Sequence, residues 1–125
     1  MRIYPAITSM FAFGAVVWAL GSSTEDAARR GKDLFARRCS GCHAADINKE
    51  GPRLRGVYGR KAAGVVEFGY SESLTKLNVR WNDETLDRWL ADPNAMAPET
   101  DMEFRLSSPD ERKAVIAYLR SVEMR

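Results

Sequence analysis

The five residues Cys-Ser-Gly-Cys-His at positions 39 to 43 hold both cysteines and the only histidine of the 125-residue chain. Thiolate and imidazole groups are soft ligands that proteins offer to transition metals. Their concentration in one pentapeptide indicates a single site built around a metal or a covalently held group. Cys39, Cys42 and His43 are therefore the first candidates for chemistry.

Three kinds of site use cysteines at this spacing. A redox-active disulfide between Cys39 and Cys42 is expected after a buried strand in a βαβ unit, and the preceding sequence has no such pattern. A zinc site needs four ligands, so zinc would require a carboxylate or a second chain here. A covalent haem c site of the C-x-x-C-H type uses both cysteines and gives His43 to the iron. We favour the haem site, and the other two remain open at this point.

An amphipathic helix is predicted to lead into this motif. Ser23 and Thr24, followed by the acidic Glu25 and Asp26, are typical of a helix N-terminus. Gly31 costs about 0.5–1 kcal/mol relative to alanine inside a helix, so it is either a tolerated weakness or a position where another helix approaches closely. The residues at helical spacing are Ala27, Gly31, Leu34, Phe35 and Arg38.

Two further helices are predicted downstream. The sequence from Asn82 to Thr85 caps a short helix that ends at Asp92-Pro93. The sequence from Ser108 to Glu111 caps a C-terminal helix with Pro109 at its first position. The apolar faces hold Leu86, Trp89 and Leu90 in the shorter helix, and Val115, Ile116, Leu119 and Val122 in the longer one.

The stretch from residue 44 to residue 70 contains five glycines and no sustained period, so it is predicted to be loop. Long loops are unusual in a small domain unless they wrap something. The sequence therefore predicts an all-α domain with three to five helices, and a covalently attached haem is a good candidate for the group that the glycine-rich loops wrap.

The first 21 residues differ in composition from the rest. Arg2 is followed by an uncharged and mostly apolar run from Ile3 to Leu20, which is typical of a secretory signal with a cleavage site at Ala19-Leu20-Gly21. A retained membrane anchor is the alternative, because a helix of this length could just cross a membrane. Cleavage is favoured. Residues 22–125 are predicted to form the folded domain, located in the periplasm or at the periplasmic face of the inner membrane, with membrane contact only if the leader is retained.

The charge balance excludes one class of partner. The chain has nineteen Lys and Arg residues and seventeen Asp and Glu residues, which gives a net charge of +2. A dedicated nucleic-acid binder would need a large excess of positive charge to neutralise many phosphates. We therefore expect no nucleic-acid partner.

Several weak motifs occur together in an order that resembles the class I c-type cytochromes of the mitochondrial and bacterial photosynthetic-type branch. The resemblance runs from about Gly31 to Leu119. It rests on GKDLFARRCSGCH, the proline loop GPRLRGVYGRK, the segment FGYS, the isolated Trp81, the helix TLDRWLADP, the segment APETDMEF and the terminal KAVIAYL.

The resemblance implies a small cytochrome c fold with one haem c bound through Cys39 and Cys42. It implies that His43 and Met102 are the two axial ligands, and a thioether ligand raises the reduction potential. Met96 lies six residues before Met102 and is the less favoured alternative.

Other positions also match family residues that contact the haem or its ligands. The Pro52 carbonyl is expected to accept the proton of the second ring nitrogen of His43. Hydrogen bonds to a haem propionate are expected from Arg60, Tyr70 and Trp81, and the methionine side of the pocket is expected to be lined by Trp89, Thr100 and Phe104.

The sequence also departs from the family pattern. Trp89 stands where a tyrosine is usual, and an indole has one donor in a different place, so the family's hydrogen bond to the methionine sulfur is not implied. Asn94, Ala95 and Asp101 stand where lysines are typical. One side should be positive, with Arg37, Arg38, Arg53 and Arg55, and the methionine side acidic, with Asp92, Glu99, Asp101 and Glu103.

The implied function is one-electron transfer between extracytoplasmic or membrane redox proteins, with no enzymatic activity. The alternative is a haem subunit, or the dedicated electron acceptor, of a periplasmic dehydrogenase or oxidase. A permanent subunit should expose a contiguous apolar patch. We favour a mobile carrier that is a monomer or a weakly held subunit.

Overall fold

The computed structural model describes residues 18–125, which form five α-helices and one short 3-10 helix. No sheet forms among these residues, which confirms the predicted all-α class. The helices are α1 (Trp18–Arg38), α2 (Glu72–Thr75), α3 (Asp83–Ala91), α4 (Pro93–Met96) and α5 (Pro109–Arg120), followed by the 3-10 helix Val122–Met124.

Helices α1 and α5 cross at Gly31. A Cβ atom at this position would overlap the carbonyl of Ala114 and crowd the Cβ of Tyr118. Beside the crossing, the rings of Phe35 and Tyr118 meet edge to face with centroids 5.5 Å apart. The close helix approach that the sequence suggested for Gly31 is therefore confirmed.

Helix α3 begins as predicted and is tied to α5. The Asn82 side chain accepts the Thr85 N–H, and the Thr85 hydroxyl accepts the Asn82 N–H, which completes a capping box. Two ion pairs then join the helices. Arg112 Nε lies 2.7 Å from Asp87 Oδ1, and Arg120 Nη1 lies 3.1 Å from Asp83 Oδ2. Because α3 carries Trp89, these contacts also fix one wall of the site.

Two predicted helix boundaries were wrong. Helix α1 already includes residues 18–22, so Ser23 and Thr24 lie inside the helix rather than at its cap. Ala19 and Leu20 are strong helix formers, and they extend the helix past the local capping signal. Helix α5 ends at Arg120, so Val122 lies in the 3-10 helix and not on the α5 face.

The short helices α2 and α4 were not predicted. Ser71 caps α2 by accepting the Leu74 N–H, and Asp92 caps α4 by accepting the Ala95 N–H. The sequence analysis interpreted Asp92-Pro93 only as the end of α3. Proline is equally suited to the first position of a new helix, which is its place in α4.

The stretch from residue 44 to residue 70 contains neither helix nor strand, as predicted. Its second half is held against the segment before α3. The Gly59 N–H donates to the Trp81 carbonyl at 2.6 Å, and the Trp81 N–H donates to the Arg60 carbonyl at 2.9 Å. The loop therefore has a fixed position around the site although it has no regular structure.

The C-terminus holds the same loop from the other side. Met124 is 1% exposed, and its carbonyl accepts the Gly56 N–H. The Glu123 carbonyl accepts a hydrogen bond from Arg55 at 2.5 Å, and its carboxylate pairs with Lys32 of α1 at 2.9 Å. These contacts join the loop, the C-terminus and α1.

Most of the predicted leader, residues 1–17, lies outside the described residues. Helix α1 runs through the predicted cleavage site at residues 19–21, so cleavage there would remove about its first turn. Within residues 18–125, no helix has both the length and the apolar character needed to cross a membrane.

Candidate cofactor site

One cavity of about 290 Å³ lies between the end of α1, the glycine-rich loop, α3 and the segment that follows α4. Its size falls near the lower end of small-molecule and cofactor sites. All the site residues predicted from the sequence line it, namely Cys39, Cys42, His43, Pro52, Arg60, Tyr70, Trp81, Trp89, Thr100, Met102 and Phe104. The structure therefore brings the whole predicted set together.

The Cys-Ser-Gly-Cys-His motif continues α1 as tight turns. The Cys39 N–H donates to the Phe35 carbonyl at 2.9 Å, and the His43 N–H donates to the Cys39 carbonyl at 2.9 Å. This winding places three side chains of a five-residue segment against the same cavity. Cys39 is half-buried, Cys42 is exposed, and both are free thiols.

The two thiols have raised pKa values. Burial raises the pKa of Cys39 to about 11. The hydrogen bond from the Cys42 sulfur to Glu50, at 3.3 Å, raises the pKa of Cys42. Reactive cysteines of redox C-x-x-C motifs have lowered pKa values, because the thiolate is the nucleophile. These electrostatics disfavour the redox-disulfide interpretation.

The ring of His43 is oriented by Pro52. The Nδ1–H donates to the Pro52 carbonyl at 2.8 Å, which leaves Nε2 as the unprotonated nitrogen. Burial lowers the pKa of His43, which favours the neutral form of the ring. A neutral imidazole whose second nitrogen is held by a backbone carbonyl is the usual form of a metal-binding histidine.

Gly51 is a site residue that the sequence analysis missed. A Cβ atom at Gly51 would overlap the His43 ring, so only glycine lets the loop pack flat against the imidazole. Gly51 immediately precedes Pro52, whose carbonyl accepts the hydrogen bond from the same ring. Its place before the predicted histidine-orienting proline is the sequence signal that could have identified it.

Arg60 offers an unused donor inside the site. Its terminal nitrogens donate to the Arg53 carbonyl at 2.9 Å and the Arg55 carbonyl at 3.2 Å. Its Nε is buried and has no partner among the described residues. An unsatisfied buried donor costs about 1–3 kcal/mol, and a charged one more. This arrangement fits a cofactor that brings an anionic oxygen to Arg60.

Tyr70 and Trp81 lie on the same cavity as Arg60. The Tyr70 hydroxyl oxygen accepts the Val65 N–H at 3.1 Å, so its own proton is free for another acceptor. The ring of Phe68 stands edge to face against Tyr70, with centroids 4.9 Å apart. Trp81 is buried and packs against Trp89, with centroids 5.3 Å apart.

Met102 faces the cavity and is hydrogen-bonded by Trp89. The indole Nε1–H donates to the Met102 sulfur at 3.3 Å. The indole therefore reaches the sulfur in spite of its different shape, which the sequence did not imply. Met96 packs against the hydrophobic core from α4 and is not among the residues that line the cavity.

Thr100 and Phe104 flank Met102. Thr100 is buried, and its N–H donates to the Ala97 carbonyl at 3.1 Å. Phe104 is half-buried, with the Arg38 guanidinium 5.4 Å from its ring centroid. The contact between Phe104 and Arg38 joins the methionine segment to the end of α1 across the edge of the cavity.

The residues present fit a haem c better than an isolated metal ion. Within residues 18–125, no group of three or more His, Cys, Asp and Glu side chains could hold a metal ion. The cavity instead supplies two thiols, one imidazole nitrogen, one thioether sulfur and the unpaired Nε of Arg60. Apolar walls with a few placed polar groups suit a large planar cofactor with acidic substituents.

Comparisons with known proteins agree with this assignment. The family profile described as cytochrome c matches residues 28–123. Cytochrome c2 iso-2 of Magnetospirillum molischianum is 41% identical over 88 residues, covering 68% of this chain and 91% of that protein. Cytochrome c of Arabidopsis thaliana is 36% identical over 101 residues, covering 78% and 90%. The structure of cytochrome cH from Methylobacterium extorquens matches with a TM-score of 0.70 and 38% identity, covering 74% and 96%.

Proposed function

Because the chain belongs to the cytochrome c family, which carries one covalent haem c and transfers electrons, we propose that His43 and Met102 are the two axial ligands of its haem. The single observation that carries this proposal is their presence on one cavity with both cysteines. Haem c supplies the Fe(III)/Fe(II) couple when it is bound.

Two neighbouring residues set the position of the His43 ring. Pro52 fixes the tautomer of His43, and Gly51 allows close packing on its ring. Cys39 and Cys42 belong to the same turn and anchor the cofactor next to Nε2 of His43. A ligand held by these contacts changes position little between two oxidation states, which favours fast electron transfer.

Met102 supplies the second ligand in this proposal. A thioether is a soft donor that favours the ferrous state and raises the reduction potential. Met102 lines the cavity and Met96 does not, which supports Met102. With both axial positions filled, no position is open to a substrate, so the protein acts as a carrier and not as an enzyme.

Arg60, Tyr70 and Trp81 bind the propionates in this proposal. The unpaired Nε of Arg60 and the free proton of the Tyr70 hydroxyl are the donors that support it. Charge-assisted hydrogen bonds to a buried carboxylate offset its loss of hydration.

The surface supports a mobile carrier over a permanent subunit. Among residues 23–121 and 123–125, whose burial the structure describes, the exposed large apolar side chains are Ile47 and Val66. A permanent interface is larger and more apolar than two such side chains provide. We propose weakly held redox protein partners that donate and accept one electron each.

The proposed location is the periplasm, or the periplasmic face of the inner membrane if the leader is retained. Support comes from the composition of residues 1–21, with one Arg followed by an apolar run and small residues. N-terminal sequencing of the exported protein tests cleavage after Gly21. A mature chain that begins at Met1 would favour the membrane anchor.

Carbon monoxide binding tests whether the site is closed. Carbon monoxide binds ferrous haem at an open axial position, so the reduced wild-type holoprotein should not bind it at neutral pH. Met102→Ala should bind it readily, because that variant lacks the proposed sixth ligand. Rapid binding by the wild-type protein would contradict the carrier proposal and favour an enzyme with an open iron site.

A further inference from the structure

We propose that Trp89 determines which of the two lone pairs on the Met102 sulfur can bind iron, and so fixes the configuration at that sulfur. The inference rests on the proposed axial role of Met102. It assigns Trp89 a positioning role that goes beyond lining the pocket.

A thioether sulfur has two lone pairs and two different carbon substituents. When one lone pair binds iron, the sulfur becomes a stereocentre, and the choice of lone pair decides its configuration. The Trp89 indole N–H lies 3.3 Å from the Met102 sulfur by the nitrogen–sulfur distance, in hydrogen-bonding geometry. The lone pair that accepts this N–H is unavailable to iron, so the other one must serve.

The indole is itself held in place. Trp89 lies on α3 with 7% of its surface exposed, and the Trp81 ring packs against it at an angle of 57°. Helix α3 is tied to α5 by the ion pair between Asp87 and Arg112. The direction of the N–H is therefore set by the fold and not by the sulfur.

The chemistry of the indole makes this constraint strict. An indole N–H lies in the plane of its ring, only donates, and cannot rotate away. A hydroxyl in its place could turn about its C–O bond and accept as well as donate. If the sulfur inverted, the Trp89 N–H would be left buried without an acceptor, which is unfavourable.

Proton NMR of the oxidised holoprotein tests this inference, because the shifts of the haem methyl groups depend on the orientation of the axial sulfur. The wild-type protein should show one set of haem-methyl resonances. Trp89→Phe keeps an aromatic ring but removes the donor, so it should show two sets or one averaged set. Ile116→Ala is the control, since Ile116 is buried in α5 and does not line the cavity. It should lose stability and keep the wild-type pattern.

A wild-type pattern in Trp89→Phe would overturn the inference, because packing alone would then set the configuration. If Trp89→Phe gives no holoprotein, nuclear Overhauser contacts of the Trp89 Nε1 proton are measured instead in the reduced wild-type protein. Contacts with the Met102 side-chain protons support the inference, and their absence overturns it.

Persistence of the sulfur-to-iron absorption band in Met102→Ala would instead refute the axial role and the inference with it. An intact band with an unchanged methyl pattern in Trp89→Phe refutes the inference alone.

Discussion

The Cβ position of Gly31 coincides with the carbonyl of Ala114, so glycine is required where α1 crosses α5. Gly31→Ala should therefore destabilise the holoprotein by about 1–3 kcal/mol, as expected for overpacking. The loss outweighs the roughly 0.5–1 kcal/mol that alanine gains over glycine in a helix. Denaturant unfolding of the holoprotein measures the difference.

Gly69→Ala is the matched control for this prediction. A Cβ atom at Gly69 has nothing within 4 Å, and its φ does not lie in the left-handed region. This variant should unfold within about 0.5 kcal/mol of the wild-type protein, as is usual for surface substitutions. Equal effects of both substitutions would show that the helix crossing tolerates a side chain.

The parts of the site that lie within one stretch of sequence could be predicted. Cys39, Cys42 and His43 lie within one five-residue segment, and the capping sequence at Asn82 predicts the start of helix α3. These features depend on local chemistry, which a single sequence displays directly. The leading helix was also predicted, but its start was misplaced because favourable propensity upstream of Ser23 outweighed the local cap.

The features that the sequence did not disclose depend on contacts between distant segments. The position of Gly51 before Pro52 is its one sequence signal, and the need for glycine there follows from its packing on the His43 ring. The bond between Trp89 and Met102 depends on how α3 packs beside the methionine segment, and residue types alone do not determine that. The unpaired Nε of Arg60 likewise follows from the two carbonyls that occupy its other nitrogens.

Glu99 holds a backbone conformation that glycine favours, three residues before Met102. Its φ is +61°, and its N–H donates to the Asn94 side chain at 2.7 Å. A left-handed conformation costs a non-glycine residue about 1–2 kcal/mol, and glycine loses about 0.5–1 kcal/mol in chain entropy. Glu99→Gly should therefore stabilise the protein by about 0.5–1 kcal/mol in thermal unfolding of the holoprotein.

Glu103→Gly provides the comparison on the other side of Met102. Glu103 is exposed and does not have a positive φ, so glycine there brings only its entropic cost. This variant should be less stable than the wild-type protein by about 0.5–1 kcal/mol. Destabilisation by Glu99→Gly of similar size would show that the conformation at Glu99 is not strained.

Covalent attachment of the cofactor is tested by extraction. Because Cys39 and Cys42 each bond to the haem in the proposed site, acid-acetone should leave the haem on the wild-type protein. The double variant Cys39→Ala with Cys42→Ala should give no covalent holoprotein. Spectra of the acetone and protein fractions measure this, and free haem released from the wild-type protein would contradict the attachment.

Electron transfer with the native partner should depend weakly on salt. The net charge is only +2, and two of the arginines on the positive side are already paired, Arg53 with Glu67 and Arg55 with Asp46. Raising ionic strength from 0.01 M to 0.1 M shortens the Debye length from about 30 Å to about 10 Å. We expect the association rate in stopped-flow experiments to fall by less than about tenfold, because little long-range steering is present to be screened.

The matched variant for this prediction carries Asp101→Lys and Glu103→Lys. Both residues are exposed at the edge of the cavity beside Met102. Adding positive charge there should make the rate with an acidic partner more salt-dependent. A fall of about two orders of magnitude for the wild-type protein would instead show that local charges such as Arg37 and Arg38 dominate docking.

The measurement that tests the central claim most directly is the weak red absorption band of sulfur-to-iron charge transfer in the ferric holoprotein. Met102 lines the cavity and accepts the Trp89 N–H, whereas Met96 packs against the core from α4. The band should be present in the wild-type protein, lost in Met102→Ala and kept in Met96→Ala. Loss of the band in Met96→Ala and its retention in Met102→Ala would contradict the account.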